Sequence, residues 1–220
     1  MSRSHDDHDS GKRVPSGGDL VIPVRKLRVI NRLGSVGVDG VEHRLQWFSH
    51  YNDTVQSDLV ETGFVDTAAL GGEFGDREFV GGRVELPDVP YGYAVVLFST
   101  HSANNAAALM LSNTVDDVST VSEEMARSAV TELSSIIVNG FFDGWADAFD
   151  EEIHLAEPTP VHNTEQEVVE STVGDIDAYG IYLSSRIRLP RHGVTARFHL
   201  FPDTETFVEL VERIDPGLVE

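Results

Sequence analysis

Two similar stretches decide the fold: RVELPDVPYGYAVVLF, from Arg83 to Phe98, and RIRLPRHGVTARFHLF, from Arg186 to Phe201. They share an opening Arg, a Leu-Pro step and a closing Leu-Phe, all at one gapless offset of 103 residues. Each stretch holds two β-rich runs around a turn that contains Pro or Gly, which predicts a β-hairpin. A helical stretch follows each hairpin, from Ser102 and from Asp203, and an aspartate suits the cap of a helix.

The same offset relates two long helical stretches, Val24–Leu45 and Ser128–Phe149. It places Leu27, Ile30, Leu33, Gly37, Val38 and Leu45 on Val130, Leu133, Ile136, Gly140, Phe141 and Ala148. Short helical connectors are predicted near Asp66–Gly71 and Gln166–Gly174. The chain is therefore predicted to hold two copies of one unit: long helix, short helix, β-hairpin, helix.

Two such units predict a single α+β domain with internal pseudo-two-fold symmetry, its helices packed on one side of an antiparallel sheet. We expect a disordered polar tail over residues 1–22 and the domain over residues 23–215. The first copy is expected at about 24–118 and the second at about 122–214.

Charge separates this chain from an average globular protein. Its 220 residues include 37 acidic and 16 Lys or Arg residues, a formal net charge of -21. This charge repels phosphate backbones and anionic lipid, which argues against nucleic-acid and membrane partners. The even spread of acidity and the scarcity of lysine are typical of proteins from a salt-loving cytoplasm.

Other classes are excluded by what the sequence lacks. It has no cysteine, which excludes disulfides and thiolate chemistry. No apolar run is long enough for a membrane span, and the polar start is not a signal peptide, so we expect a soluble cytoplasmic protein. The histidines are scattered, with His43 and His50 on one possible helix and His154 and His162 around prolines, and they form no convincing metal-ligand set.

A polar line runs along the second long helix. An α-helix advances about 100° per residue, which puts Ser128, Glu132, Ser135 and Asn139 in one narrow stripe opposite the apolar face. Two interpretations stay open on this spacing alone: the solvated face of an amphipathic helix, or a functional site. Gly140 and Gly144 lie on the opposite side, where another backbone can pack closely.

The segment EEMARSAVTELSSIIVNGFFDGWADAF, together with the hairpins and the order of elements, resembles the CheC family of chemotaxis proteins, whose relatives include CheX and FliY. The resemblance covers about Val24 to Ile214. It implies removal of the phosphoryl group from the response regulator CheY. In that family a Glu engages the regulator's lysine and an Asn amide holds the attacking water. The magnesium ion belongs to the regulator, and the phosphatase itself needs no cofactor.

Carried over residue by residue, the resemblance places Ser128 at the family's Ser or Asp and Glu132 at its Glu. Ser135 stands where the family has its catalytic Asn, and Asn139, one turn on, matches a later Asn. A hydroxyl can donate and accept hydrogen bonds as an amide can, but it is shorter.

The first copy departs further. The offset of 103 puts Val29 at the Glu position and Arg32 at the Asn position, within a stripe that also contains Arg25 and Val36. A slip of one residue would instead put Arg28 on the Glu position and Asn31 on the Asn position. Neither pair can perform the family's chemistry, so at most one incomplete site is predicted.

Two functions follow from the resemblance. The chain is either a CheY-phosphate phosphatase that uses Glu132 with Ser135 or Asn139, or an interaction module with weak or lost activity. The implied partners are phosphorylated CheY and the receptor deamidase CheD. A third role, in the motor switch as for FliY, would need a further domain.

Overall fold

Five helices form in the part of the chain that a computed structural model describes, residues 24–48, 54–58, 60–66, 74–112, 121–149, 152–174 and 179–214. The helices are α1 (Val24–Phe48), α2 (Thr100–Leu111), α3 (Glu123–Phe149), α4 (Glu165–Val173) and α5 (Thr204–Arg213). Helix α5 begins as predicted, because the Asp203 side chain accepts a hydrogen bond from the Thr206 N–H at 2.9 Å. The predicted tail, residues 1–22, lies outside the described residues.

The described strands form one antiparallel sheet. They are β1 (Gln56–Ser57), β2 (Glu61–Asp66), β3 (Glu78–Leu86), β4 (Gly92–Ser99), β5 (Thr159–Thr164), β6 (Tyr179–Leu189) and β7 (Val194–Pro202). The order across the sheet is β1-β6-β7-β4-β3-β5, and β2 also pairs with β6. The predicted hairpins are β3–β4 and β6–β7, and they meet through β4 and β7 in the centre. The α+β class with an antiparallel sheet is confirmed.

Helices cover both faces of this sheet. The main core lies between one face and α1, α2, α3 and α5, and it includes Leu33, Phe98, Phe141 and Phe198. Helix α4 packs Val168 and Val169 on the other face, against Val95 and Leu97 of β4 and Phe201 of β7. The expectation that all helices lie on one side was wrong, because the central strands are apolar on both faces and each face has to be covered.

The outer strands exchange partners between the two predicted units. Strand β2, from the first unit, pairs with β6 of the second, and β5, from the second unit, pairs with β3 of the first. Neither strand was predicted. Asp66, placed in a helical connector by the sequence, is the last residue of β2, and residues 67–71 of that connector lie outside the described ranges. The connector at Gln166–Gly174 does form a helix, α4.

The gapless offset of 103 does not describe the hairpins. The first strands of the two hairpins, β3 and β6, keep the offset of 103, because Val84 and Leu86 face the main core as Ile187 and Leu189 do. The second strands, β4 and β7, match at an offset of 102 instead. The residues that face the main core are Ala94, Val96 and Phe98 in β4 and Ala196, Phe198 and Leu200 in β7. Leu86 pairs with Gly92 and Leu189 with Val194, so the second turn is one residue shorter. The two-fold symmetry itself stays a prediction.

No helix within the described residues is both long enough and apolar enough to span a membrane.

Candidate functional site

Helix α3 is fixed on its inner side by α1 and the sheet. The two long helices cross so closely that a Cβ atom added at Gly40 would lie 2.2 Å from the Gly140 carbonyl oxygen. Deeper in the contact, the Trp145 indole N–H donates a hydrogen bond of 2.9 Å to the Leu33 carbonyl oxygen. The close approach predicted for Gly140 is therefore present, and it leaves the opposite face of α3 toward the outside.

The predicted stripe occupies this outer face. Ser128 and Glu132 are exposed, while Ser135 and Asn139 are half-buried. At the start of the helix, the Ser122 hydroxyl accepts a hydrogen bond from the Met125 N–H at 3.2 Å, and two glutamates occupy the first turn, which suits the helix dipole. All four side chains thus lie along one rigid helix, on the surface that a docking protein could reach.

An open groove of about 510 Å³ runs beside the first half of the stripe. One wall is α3 and includes Ser128 and Glu132, and the other wall is the segment before β5, with Glu157, Pro158 and Pro160. The second wall is held in place because the Ala156 N–H donates to the Glu85 carbonyl oxygen at 3.1 Å. The sequence interpretation missed this wall, although its EPTP pattern indicates a stiff extended segment.

Ser135 and Asn139 form a hydrogen-bonded pair one turn further along. The Asn139 Nδ2 donates to the Ser135 carbonyl oxygen at 2.8 Å and to the Ser135 Oγ at 3.2 Å. Asn139 is therefore turned back toward Ser135, and the amide and the hydroxyl meet at one place on the surface.

The matching surface of α1 differs from the one expected. Val29 is buried, with 7% of its surface exposed, so the predicted stripe of Arg25, Val29, Arg32 and Val36 is not a surface line. An offset of 104 agrees with burial: Arg28 is exposed like Glu132, Val29 is buried like Leu133, and exposed Asn31 matches half-buried Ser135. The offset of 103 was wrong for the helices because one residue turns a helix by about 100°, which moves a side chain from surface to core.

With an offset of 104, Arg28 and Asn31 of α1 align with Glu132 and Ser135 of α3. The Asn31 Oδ1 accepts a hydrogen bond of 2.8 Å from the Thr62 hydroxyl of β2. A guanidinium at the position of a carboxylate has the opposite charge, so it cannot bind the same cationic group.

Within the described ranges, no group of three or more His, Asp or Glu side chains is arranged to hold a metal ion. His43 is exposed, and the His154 Nδ1 lies 2.9 Å from the Asp88 carboxylate. His50 lies outside the described residues.

A second polar cluster is buried on the opposite face of the sheet. Glu165, at the start of α4, forms an ion pair with Arg197 of β7, and its Oε1 lies 3.1 Å from the Nε2 of buried His199. Burial by itself raises the pKa of Glu165, but the hydrogen bonds from His199 and Arg197 and the charge of Arg197 outweigh it and lower the pKa to about 2. This cluster ties α4 to the face of the sheet opposite the main core.

The chain is similar in sequence to one protein of known family and in fold to several solved structures. It is 27% identical over 196 residues to a Halobacterium salinarum protein with the provisional name CheY-P phosphatase CheC1, across 88% of this chain and 98% of that protein. No protein-family model matches the chain.

Solved structures share its fold. Thermotoga maritima FliY superposes with a TM-score of 0.64 at 14% identity, covering 88% of this chain and 97% of that chain. The FliM middle domain of Vibrio alginolyticus superposes with a TM-score of 0.55 at 9% identity, covering 86% of this chain and 99% of that chain. CheX of Desulfovibrio desulfuricans superposes with a TM-score of 0.51 at 10% identity, covering 77% of this chain and 98% of that chain.

Proposed function

We propose that the chain is a chemotaxis protein of the CheC/CheX/FliY family, as its 27% identity to a CheC1 protein supports, and that it binds phosphorylated CheY through the outer face of α3. The observation that carries this proposal is the line of Ser128, Glu132 and Ser135 along one exposed helix face beside an open groove. We propose further that hydrolysis of the aspartyl-phosphate is weak or lost, because a serine stands where the family has its catalytic amide.

Glu132 has the role of docking in this proposal. Its carboxylate is exposed at the edge of the groove and has no ion-pair partner among the described residues, so it is available to a cationic side chain of the regulator. Positioning of this kind lowers the barrier without any covalent step on the phosphatase, since the phosphoryl group and its magnesium ion sit on the partner.

A single docking face per chain follows from the chemistry of α1. Arg28 occupies the position that corresponds to Glu132, and its positive charge would repel the cationic group that Glu132 attracts. Ser128, Glu132, Ser135 and Asn139 are therefore the proposed site residues, and α1 supports the fold only.

An active phosphatase is the second candidate. The hydrogen bond from Asn139 to the Ser135 hydroxyl favours it, because the two side chains together present an amide and a hydroxyl near the position of the missing Asn. CheD is proposed as a second partner on the family resemblance alone, and a pull-down with purified CheD tests it.

The decisive experiment follows dephosphorylation of the cognate CheY at high salt, with and without this protein, together with binding of the beryllofluoride-activated regulator. We expect binding by the wild type, and a loss of binding of about tenfold or more in Glu132→Ala, since a charge-assisted contact is removed. Glu170→Ala, which changes an exposed glutamate on α4, is the matched control and should bind as the wild type does.

Three outcomes are informative. Rapid dephosphorylation that disappears in Glu132→Ala would establish the phosphatase and exclude the adaptor. Binding without acceleration supports weak or lost activity, and Ser135→Asn is then expected to create or raise it. A wild type that neither binds activated CheY nor accelerates its dephosphorylation overturns the proposal.

A further inference from the structure

Three hydroxyl side chains follow one another on α3, and they are used differently. The Thr131 hydroxyl donates to the Arg127 carbonyl oxygen and the Ser134 hydroxyl to the Val130 carbonyl oxygen, each at 2.9 Å. Such bonds to the carbonyl four residues earlier are the ordinary choice of Ser and Thr within a helix. They leave the hydroxyl hydrogen engaged with the backbone.

Ser135 makes no such bond within the described part of the chain. Its Oγ is instead an acceptor, at 3.2 Å from the Asn139 Nδ2, whose other contact is the Ser135 carbonyl oxygen at 2.8 Å. An amide nitrogen only donates hydrogen bonds, so it occupies one lone pair of the hydroxyl and leaves the second lone pair and the hydrogen free. Ser135 is half-buried on the face of α3 where the partner is proposed to dock.

We propose that Asn139 is a positioning residue, which fixes the Ser135 hydroxyl so that this hydroxyl, rather than an amide, orients the water that attacks the aspartyl-phosphate. This inference rests on the second candidate function, the active phosphatase, which the hydrogen bond from Asn139 to Ser135 favours. In the reaction the water oxygen forms a bond to phosphorus, and the bond from phosphorus to the aspartate oxygen breaks. The aspartate leaves as a carboxylate with the bonding electron pair, and a water proton passes to solvent.

The geometry explains why two residues are needed. A serine hydroxyl is shorter than an asparagine amide and rotates among three staggered positions, most of which would point it at the helix backbone. The Asn139 N–H holds it in one of them, so less freedom is lost when the water binds. Orientation of this kind acts on the rate of the chemical step more than on partner affinity.

The test is a double-mutant cycle on kcat and KM for phosphorylated CheY. Asn139→Leu keeps the size of the side chain and removes the donor, and we expect kcat to fall about tenfold with KM unchanged, the effect of one lost hydrogen bond. Ser135→Ala should cost a similar factor, and the double variant should lose no more than the larger single loss. Ser35→Ala is the control, because Ser35 is a half-buried serine of α1 whose hydroxyl donates to the Asn31 carbonyl oxygen at 3.1 Å.

A second pair of variants distinguishes a positioning role of Asn139 from a purely structural one. In Ser135→Asn the water-orienting amide is supplied directly, so adding Asn139→Leu should then have little effect on kcat. Unchanged kcat in Asn139→Leu, or an equal loss in the Ser135→Ala background, would overturn the inference.

A wild type without any acceleration would refute the phosphatase and with it the role of the pair in hydrolysis. The pair itself has an independent readout in the side-chain amide protons of Asn139, observed by NMR. Their resonances should shift and exchange faster with solvent in Ser135→Ala, and unchanged signals would show that Asn139 does not hold the hydroxyl.

Discussion

At the scale of single residues, the chemistry of this protein depends on which atoms are left free. Glu132 has a carboxylate exposed at a groove, Ser135 has a hydroxyl that the backbone does not use, and Asn139 has an amide that reaches Ser135. Arg28 shows the opposite case, because one change of charge makes the equivalent position of α1 unsuitable for the same partner group.

Glu165 gives a prediction for pH. Its folded pKa of about 2 is lowered from the ordinary value of 4.5, so the stabilisation is fully present above about pH 5 and is lost as pH falls toward 2. We expect Glu165→Gln to be less stable than the wild type at pH 7, by on the order of 3 kcal/mol, and the difference to shrink as pH falls through this window. Urea unfolding of both proteins at a series of pH values measures it.

The control for this prediction is Glu170→Gln, a change of an exposed glutamate on the same helix. It should alter stability by less than about 0.5 kcal/mol. A difference between Glu165→Gln and the wild type that does not change with pH would contradict the assigned role of the ion pair.

At the scale of elements, the crossing of α1 and α3 sets the surface that faces a partner. The two backbones come together at Gly40 and Gly140, and at Val36 and Gly144, where an added Cβ on Gly144 would lie 2.4 Å from the Val36 carbonyl oxygen. No side chain fits between them, so the rotation of each helix is fixed, and with it the direction of the polar stripe.

Because the two helices cross so closely, a Gly→Ala substitution at the crossing should lower stability, where in an ordinary helix it would raise it. Gly→Ala within an exposed helix stabilises by roughly 1 kcal/mol. Gly40→Ala should instead destabilise the protein, by about 1–3 kcal/mol, because its methyl group would meet the Gly140 carbonyl oxygen at 2.2 Å. Urea unfolding midpoints measure the change. Gly180→Ala, where the nearest atom is the Thr204 Oγ1 at 3.9 Å, is the comparison, and a stabilised Gly40→Ala would refute the close crossing.

At the scale of the whole molecule, the dominant feature is charge. The net charge of -21 on 220 residues produces repulsion that opposes the compact state. The same charge would repel an acidic partner at long range. Such a partner would have to bind through local contacts, such as a cationic side chain that contacts Glu132.

Salt should therefore stabilise this protein. Raising KCl from about 0.1 M to 1 M shortens the screening length from about 10 Å to 3 Å, which weakens the repulsion. We expect the melting temperature to rise, by roughly 2–4 °C for each 1 kcal/mol gained in a domain of this size. An uncharged osmolyte at equal osmolality is the control, and a melting temperature that salt leaves unchanged or lowers would contradict the expectation.

Local patterns predicted much of this architecture. The two hairpins, both long helices, the cap at Asp203 and the helix near Gln166–Gly174 were each predicted correctly, because period, turn residues and caps act over a few neighbouring positions. The outer strands β2 and β5 were missed, since each is defined by its pairing with a distant hairpin strand.

By itself, the sequence determined the two hairpins, the long helices, the α+β class and the polar line from Ser128 to Asn139. Only the tertiary structure decided that α4 covers the second face of the sheet, that Glu157 and Pro160 form the opposite wall of the groove, and that Val29 is buried while Arg28 is exposed. The physical reason is that helices and strands are held with their apolar faces against the core, whatever the spacing of similar residues along the chain. When a turn is one residue shorter, or a helix is shifted by one residue, a gapless sequence alignment still matches similar residues. It then pairs side chains that face the core with side chains that face away from it.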